Sequence, residues 1–384
     1  MFTKRRLAWT TSIALTTGLV LSACSANDDD NDTTTSDDYD TIDEASAEAL
    51  EALADVDSLS GSLQGAGASF PYTVYEEWRV HYEQEQQSDV QINYQSVGSG
   101  AGITQFLEDT VDFGTSEAYL RQDELDDAES NRDCEAIQVP MLFGSVVIAF
   151  QDEELDGLVL DAETIAQIFT RDITNYNDDA IAELNPDWDL PDQEIIPVHR
   201  SDGSGTTSVF TTWLEDESPH WTDNMDPASG TEVNWASGTV GGQGNEGVTA
   251  NLQGENGGLG YVNQSYAQIE GLPQAEVINS DDNAVYPTLE ATTAGIEDLD
   301  IPDDYQFDIL GIGDEGYPIT GTVWNFFYTC GYDDETAEIL TDYWIWATQT
   351  PEADELAMEL GYAPMGPELK DRVLDELQKI NSNN

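Results

Sequence analysis

The sequence predicts an α/β protein, because strand-like and helix-like segments alternate along it from about residue 63. Apolar and polar side chains alternate in VQINYQSV (90–97), which is typical of a strand with one buried face. In PYTVYEEWRVHYEQ (71–84), large apolar side chains instead recur at helical spacing, and the proline suits a first helical turn. These two patterns, repeated in order, favour strand–loop–helix units.

Two further segments predict amphipathic helices. ITQFLED (103–109) and SVFTTWLED (208–216) each place apolar side chains on one helical face. No internal sequence repeat is present. At 384 residues the chain is long enough for two or three domains, each with its own core.

The charge balance is strongly acidic: 78 Asp and Glu stand against 11 Lys and Arg, for a formal net charge of -67. Such a chain repels nucleic acid, which we exclude as a partner. Two explanations compete for the excess. One is an acidic tail, and the other is adaptation to molar salt, where charges are screened within ~3 Å. Because carboxylates occur along the whole chain, we favour a halophilic protein.

Residues 1–23 are interpreted as a signal peptide, with a basic start followed by a short apolar run. The run is too short and polar to predict a membrane span. It ends in LSAC, which is similar to a lipobox, so we expect Cys24 to be lipidated. The alternative is an ordinary secretory signal followed by a stray cysteine. Arg5-Arg6 only weakly suggests twin-arginine export.

Residues 24–61 are acidic and poor in large apolar groups, which predicts a disordered tether with a short helix around 45–54. Two cysteines follow the tether, Cys134 and Cys330. An exported protein permits a disulfide between them, but two buried thiols are an equal alternative at this spacing. There is no C-x-x-C or His/Cys cluster, so we expect no metal site and no cofactor.

Four loops place small residues where a helix is expected to begin: GAGASFP (65–71), SVGSGAG (96–102), DFGTSEA (112–118) and RSDGSGTT (200–207). A helix N-terminus offers unpaired N–H groups and partial positive charge. Glycine permits close approach to the backbone, and Ser or Thr adds a hydroxyl donor. Any one of these loops is commonly just an N-cap, but four together predict an anion site.

The fourth loop also carries one of the few basic residues. Arg200 supplies a planar fork of donors that matches an oxyanion, and Asp202 is placed to hold that fork. The alternative for this pair alone is a surface ion pair. GQGNEG (242–247) fits a dinucleotide-binding pattern but lacks a clear preceding strand. We interpret it as a turn into a helix. Asn245 and Glu246 either shape the lobe or line the cleft, and we favour the structural role.

The loops and their flanks resemble the ordered motifs of the PstS family, the phosphate receptors of phosphate ABC transporters. The resemblance covers about residue 65 to the end and rests on these segments: GAGASFPYTVYEEW (65–78), NYQSVGSGAGITQFLEDTVDFGTSEAYL (93–120), PVHRSDGSGTTSVFTTWL (197–214), GNEGVTANLQGENGGLGYVNQSYA (244–267), YPITGTVWNFFY (317–328) and LGYAPM (360–365).

The resemblance implies a two-lobe periplasmic-binding-protein fold of type II, a clamshell with strands crossing between lobes. We expect residues 62–140 with 316–384 to form one lobe and 141–315 the other. The implied partners are inorganic phosphate, the transporter's membrane permease and, through the lipid anchor, the outer face of the cell membrane. The resemblance implies no catalysis.

The resemblance also implies which residues bind phosphate. They are Ser69, Phe70, Ser99, Arg200, Ser204, Gly205 and Thr206, with Asp202 as the support of Arg200. In the family a DFGASD motif ends in an aspartate that accepts the phosphate proton, whereas this chain has Glu117 at that place. We expect Glu117 to keep the acceptor role; the alternative is that it points to solvent.

Three other functions compete with a phosphate receptor. Arsenate also keeps a proton, so the residues do not exclude it as the ligand. A phosphate- or arsenate-binding scaffold with phosphomonoesterase activity would need a nucleophile or metal beside the anion. A structural or adhesive surface protein would suit the acidic body but would leave the four loops unexplained.

Overall fold

The strands form two sheets in the computed structural model, which describes residues 58–297 and 299–381. The larger sheet has the order β2-β1-β3-β11-β4-β8-β6-β7, and a small sheet has the order β10-β9-β5. The strands are β1 (Ser60–Gly67), β2 (Asp89–Ser96), β3 (Phe113–Ser116), β4 (Ala136–Phe150), β5 (Val159–Leu160), β6 (Ile196–Arg200), β7 (Val240–Gly242), β8 (Gly258–Asn263), β9 (Glu276–Ile278), β10 (Ala284–Val285) and β11 (Thr320–Tyr328).

Helices follow most of these strands and complete the α/β pattern. They are α1 (Tyr72–His81), α2 (Ser99–Leu107), α3 (Gln122–Arg132), α4 (Ala162–Thr170), α5 (Asp179–Leu184), α6 (Gly205–Glu217), α7 (Pro219–Asn224), α8 (Gly244–Gly254), α9 (Gln264–Glu270), α10 (Leu289–Ala294), α11 (Asp334–Gln349), α12 (Pro351–Glu359) and α13 (Pro367–Leu377). The predicted strand at 90–97 lies in β2. The helix predicted from Pro71 is α1, with Pro71 at its N-cap and a π-helical turn, Tyr82–Gln86, at its end.

Strand β4 joins two halves of the large sheet, and every one of its 15 residues is buried. Ala136–Ser145 pairs antiparallel with β11, and Val146–Phe150 pairs antiparallel with β8. We call β2-β1-β3 the first half and β8-β6-β7 the second half. Within each half the strands are parallel. The α/β architecture expected from the sequence is confirmed.

The strand directions point both halves toward the same stretch of β4. In the first half, β3 ends beside Trp324 of β11, which in turn pairs with Pro140 of β4. The second half runs in the opposite direction, since Asn263 at the end of β8 lies opposite Val146. The carboxyl ends of the parallel strands therefore face one another around residues 140–146. In open α/β sheets these strand ends are where ligands bind.

The core beneath the first half is rich in aromatic side chains. Trp344 of α11 is fully buried and makes edge-to-face contacts with Tyr75 of α1 and Phe113 of β3, at ring-centroid distances of 5.2 and 5.1 Å. Burying a large apolar side chain stabilises the fold by about 1.5–3 kcal/mol, and aromatic pairs add about 0.5–1.5 kcal/mol. This packing fixes α1 and β3, which carry the chain toward the strand ends.

The two cysteines are joined. Cys134 precedes β4 and Cys330 follows β11, and antiparallel pairing of these neighbouring strands brings their Cα atoms to 5.8 Å. The alternative of two free thiols, left open by the spacing, is therefore wrong. The disulfide closes the middle of the sheet on the side away from the strand ends described above.

Several sequence predictions stay predictions. The signal peptide 1–23, lipidated Cys24, the helix around 45–54 and most of the tether lie outside the described residues. β1 begins at Ser60, inside the last residues assigned to the tether. The described residues all belong to one compact unit, and the lobe boundaries at 140, 141, 315 and 316 remain expectations. Within 58–297 and 299–381, no helix is long and apolar enough to cross a membrane.

Candidate anion-binding site

Loops from the two halves touch directly at the strand ends. The Gly100 N–H at the start of α2 donates to the Gly203 carbonyl, with an N–O distance of 3.1 Å. The Gly205 N–H at the start of α6 donates to Ser99 Oγ at 3.0 Å. Three of the loops predicted from sequence, 65–71, 96–102 and 200–207, do precede helices as expected. Their helix N-termini therefore meet at one place.

Two glycines make this close contact possible. A Cβ on Gly205 would lie 2.4 Å from Glu117 Oε2, nearer than real Cβ atoms approach an oxygen. Gly98 has φ +89°, and a Cβ there would lie 2.4 Å from Asp202 Oδ2. Only glycine fits both positions without displacing the carboxylates. The glycines predicted to allow close backbone approach thus allow the two halves to meet.

Arg200 is the cation of the site, and its side chain is 2% exposed. It forms a two-point ion pair with Asp202, with Nε–Oδ1 at 2.8 Å and Nη2–Oδ2 at 2.6 Å. A third, longer bond runs from Nη1 to Thr206 Oγ1 at 3.4 Å. A guanidinium has five N–H groups, so one remains on each terminal nitrogen for an anion. The expected support of Arg200 by Asp202 is present.

Glu117 lies inside the site and is 4% exposed. Its two oxygens accept hydrogen bonds from Ser99 Oγ at 2.7 Å and from Thr206 Oγ1 at 2.6 Å. Burial of the carboxylate raises the pKa of Glu117, although the two hydroxyl donors and Arg200 oppose that rise. The alternative in which Glu117 points to solvent is therefore wrong.

The segment that presents Glu117 differs from its prediction. Residues 112–118 were expected to form a loop ahead of a helix, but 113–116 form β3 and the next helix begins at Gln122. The strand forms because β1 pairs with it on one side and β11 on the other. Glu117 is thus held at the end of a central strand, where its backbone has little freedom.

Buried backbone N–H groups complete the donor set. Within the described part of the chain, the N–H groups of Phe70, Ser99 and Thr206 have no hydrogen-bond acceptor, although all three residues are buried. Unpaired buried N–H groups are rare in proteins because each costs about 1–3 kcal/mol. Ser204 adds a hydroxyl that caps α6 through the Thr207 N–H at 3.1 Å. The arrangement can bind a small oxyanion.

Asn245 belongs to this cluster, so the cleft-lining alternative holds for it rather than the favoured structural role. It is fully buried at the start of α8. Its backbone N–H and its Nδ2 donate to Ser69 Oγ at 3.0 and 2.9 Å, and Nδ2 also donates to Thr206 Oγ1 at 3.3 Å. GQGNEG is a turn into a helix, as predicted, but the short strand β7 precedes it where the sequence showed no clear strand.

The structure brings every residue predicted for the site together at the strand ends. Nearly all are buried, with Asp202 partly exposed: Ser69, Phe70, Ser99, Glu117, Arg200, Asp202, Ser204, Gly205 and Thr206. The described residues contain no group of three or more His, Cys, Asp and Glu side chains that could hold a metal ion.

Comparisons with known proteins agree with this geometry. Residues 34–349 match the PBP superfamily domain. The chain is 32% identical over 364 residues to the phosphate-binding protein PstS of Xylella fastidiosa strain 9a5c, covering 94% of each chain. It is 31% identical over 317 residues to PstS of Methanocaldococcus jannaschii, covering 77% of this chain and 80% of that one.

Solved structures share the fold. A high-affinity periplasmic phosphate-binding protein, PfluDING, aligns with a TM-score of 0.68 at 21% identity, over 82% of this chain and 93% of its own. A phosphate-binding protein from Stenotrophomonas maltophilia aligns with a TM-score of 0.62 at 18% identity, over 82% and 94%. With the family model and relatives above 30% identity over most of the chain, this protein belongs to the PstS family within the PBP superfamily.

Proposed function

We propose that this chain binds inorganic phosphate between the two sheet halves and delivers it to the permease of an ABC transporter. The observation that carries the proposal is the set of unpaired buried N–H groups at Phe70, Ser99 and Thr206 beside the guanidinium of Arg200. The phosphate named for the relatives supports the choice of ligand.

The site attracts an anion without a surplus of formal charge. Arg200 faces two carboxylates, Asp202 and Glu117, in a chain whose net charge is -67. Attraction therefore depends on neutral dipoles, and the backbone N–H groups at the helix N-termini need no reorganisation when the ligand arrives. Hydrogen bonds from a buried guanidinium to a phosphate oxygen add the charge-assisted part.

Glu117 gives the site its selectivity. An ionised carboxylate only accepts hydrogen bonds, so the anion oxygen next to it must carry a proton. Phosphate keeps a proton near neutral pH, whereas sulfate has none and would place two negative oxygens together. Because these two oxygens repel each other and share no proton, the sulfate complex is destabilised and sulfate is rejected.

Phosphate must also compete with Glu117 for donors. The Ser99 and Thr206 hydroxyls each have one proton, and both protons are held by Glu117. Donating them to phosphate requires Glu117 to release them and to take the phosphate proton in exchange. The Glu117 carboxylate reaches Thr206 on the other half, so this exchange also links the two halves.

The same contacts suit a receptor that opens and closes. Ser99 and Glu117 belong to the first half, and Gly205 and Thr206 belong to the second. A ligand held by donors from both halves stabilises the closed arrangement over an open one in proportion to its extra contacts there. Cys24 would anchor this receptor at the outer face of the membrane through a lipid, close to the permease, and no reaction is catalysed.

Calorimetric titration of the full chain with phosphate, arsenate and sulfate, at low and at molar salt, tests the proposal. We expect saturable phosphate binding and no heat from sulfate. Binding of sulfate as tightly as phosphate, or no phosphate binding at either salt concentration, would contradict the proposal. Tighter binding of arsenate would reassign the ligand. Hydrolysis of a chromogenic phosphate ester that disappears in Ser204→Ala would instead indicate an esterase.

A further inference from the structure

The amide orientation of Asn245 is fixed by a backbone group. The Asn263 N–H points at the Asn245 side chain, with a distance of 3.0 Å to Oδ1. A backbone N–H can only donate, so the atom that faces it must be the amide oxygen. The amide nitrogen consequently faces Ser69 and Thr206, and its two protons have one hydroxyl acceptor each.

This orientation determines what Ser69 can do. A hydroxyl has two acceptor lone pairs and one proton. Both lone pairs of Ser69 Oγ are taken, by the backbone N–H and by the amide of Asn245. Among residues 58–297 and 299–381, Ser69 Oγ takes part in these two bonds alone, and it accepts in both. Ser69 is therefore committed to donating, and its proton is still available.

The Thr206 hydroxyl is likewise restricted to donating its proton, although the hydrogen bonds that it accepts are longer. Its Oγ1 accepts from Asn245 Nδ2 at 3.3 Å and from Arg200 Nη1 at 3.4 Å, and it donates to Glu117 at 2.6 Å. Asn245 thus donates a hydrogen bond to one hydroxyl oxygen from each half of the site, and each bond occupies a lone pair of that oxygen. Without it, either hydroxyl could rotate and accept a hydrogen bond.

We propose that Asn245 is a positioning residue that fixes Ser69 and Thr206 as proton donors, so that both hydroxyls recognise only unprotonated oxygens of the anion. This inference rests on the proposed phosphate function. Its consequence is that a protonated oxygen of phosphate is excluded from Ser69 and Thr206, which favours its placement beside Glu117. The orientation of the bound anion is then set by a residue that need not contact it.

A double-mutant cycle tests this role with phosphate as the titrant and the full chain as the protein. Asn245→Ala and Ser69→Ala should each weaken phosphate binding by about tenfold, the value of one good hydrogen bond. If Asn245 acts through Ser69 and Thr206, the double variant should lose little more affinity than Asn245→Ala alone, and clearly less than about a hundredfold. Fully additive losses would show a merely structural role and would overturn the proposal.

A second pair of variants avoids the risk that Asn245→Ala fails to fold. Asn245→Asp has the same shape and still accepts from the Asn263 N–H, but it replaces the donor by an acceptor. Asn251→Asp adds the same charge at a partly exposed position on the same helix. We expect at least about a hundredfold weaker phosphate binding for Asn245→Asp and none of that loss for Asn251→Asp.

Equal affinities of these two variants would overturn the inference. Failure of the unaltered chain to bind phosphate would instead overturn the proposed function, so the two failures are distinguishable. Thermal unfolding of both variants is measured alongside, because a matched melting temperature shows that the lost affinity comes from the site.

Discussion

The two sides of the site have different chemistry. The first half contributes neutral donors at Ser69, Phe70 and Ser99 together with one carboxylate, Glu117, and no cation. The second half contributes a guanidinium, Arg200, already neutralised in part by Asp202. The difference teaches that one side recognises the charge of the anion and the other recognises its proton. Each side can be altered separately.

The largest expected effect comes from the charged side. Arg200→Gln removes the guanidinium and leaves Asp202 without its partner, so phosphate binding should weaken by about 2–5 kcal/mol. Arg200→Lys keeps the charge without the planar fork and should lose less. Titration calorimetry measures both, with Arg121→Gln as the exposed control that removes the same charge. A loss below tenfold in Arg200→Gln would mean that neutral dipoles alone bind the anion.

An intermediate effect is expected on the proton-recognising side. In Glu117→Gln, a sulfate oxygen faces an N–H donor instead of a carboxylate. The preference for phosphate over sulfate should therefore fall by about 1.5–3 kcal/mol. Competition of sulfate against bound phosphate measures the preference. Glu246→Gln removes an equal charge from an exposed neighbouring position and should leave the preference unchanged. A Glu117→Gln protein that still excluded sulfate as well as the unaltered chain would refute the acceptor role of Glu117.

The smallest expected effect concerns stability. Burial raises the pKa of Glu117 above its ordinary value of 4.5, so the folded state holds that proton more tightly than the unfolded state. The stabilising contribution of Glu117 to the free energy of unfolding is therefore fully present below pH 4.5, and it is lost as the pH rises through the raised pKa. Glu117→Gln should unfold at a higher temperature than the unaltered chain at neutral pH. The difference between the two melting temperatures should narrow on acidification. A difference in melting temperature that widens at low pH would contradict a raised pKa for Glu117.

Much of the architecture could be predicted from local patterns, and the exceptions have a common cause. The largely apolar run of β4 and the alternation in β2 are strong signals, because the burial of apolar side chains produces both patterns. β3 has only four residues, three of them small, and it is a strand because β1 and β11 flank it. The pairing of Cys134 with Cys330, at a sequence separation of 196, likewise depends on β11 reaching β4.

The site was predicted more completely than the fold around it, apart from one residue. Glycine, serine and threonine before a helix have a chemical meaning that can be recognised in isolation, and Arg200 with Asp202 is a local pair. Asn245 has no such local partner, since its contacts are Ser69, Thr206 and Asn263 from three distant segments. Only its position in the GNEG segment could have indicated it.

The place of β11 in the sheet governs when this molecule can become functional. β11 lies between β3 and β4, yet it is made long after both of them. A nascent chain that already contains Ser69, Glu117 and Arg200 still lacks the strand that ties the end of β3 to β4. The binding site therefore depends on a strand from late in the sequence, and a chain that ended before residue 320 would hold these side chains without the sheet that positions them.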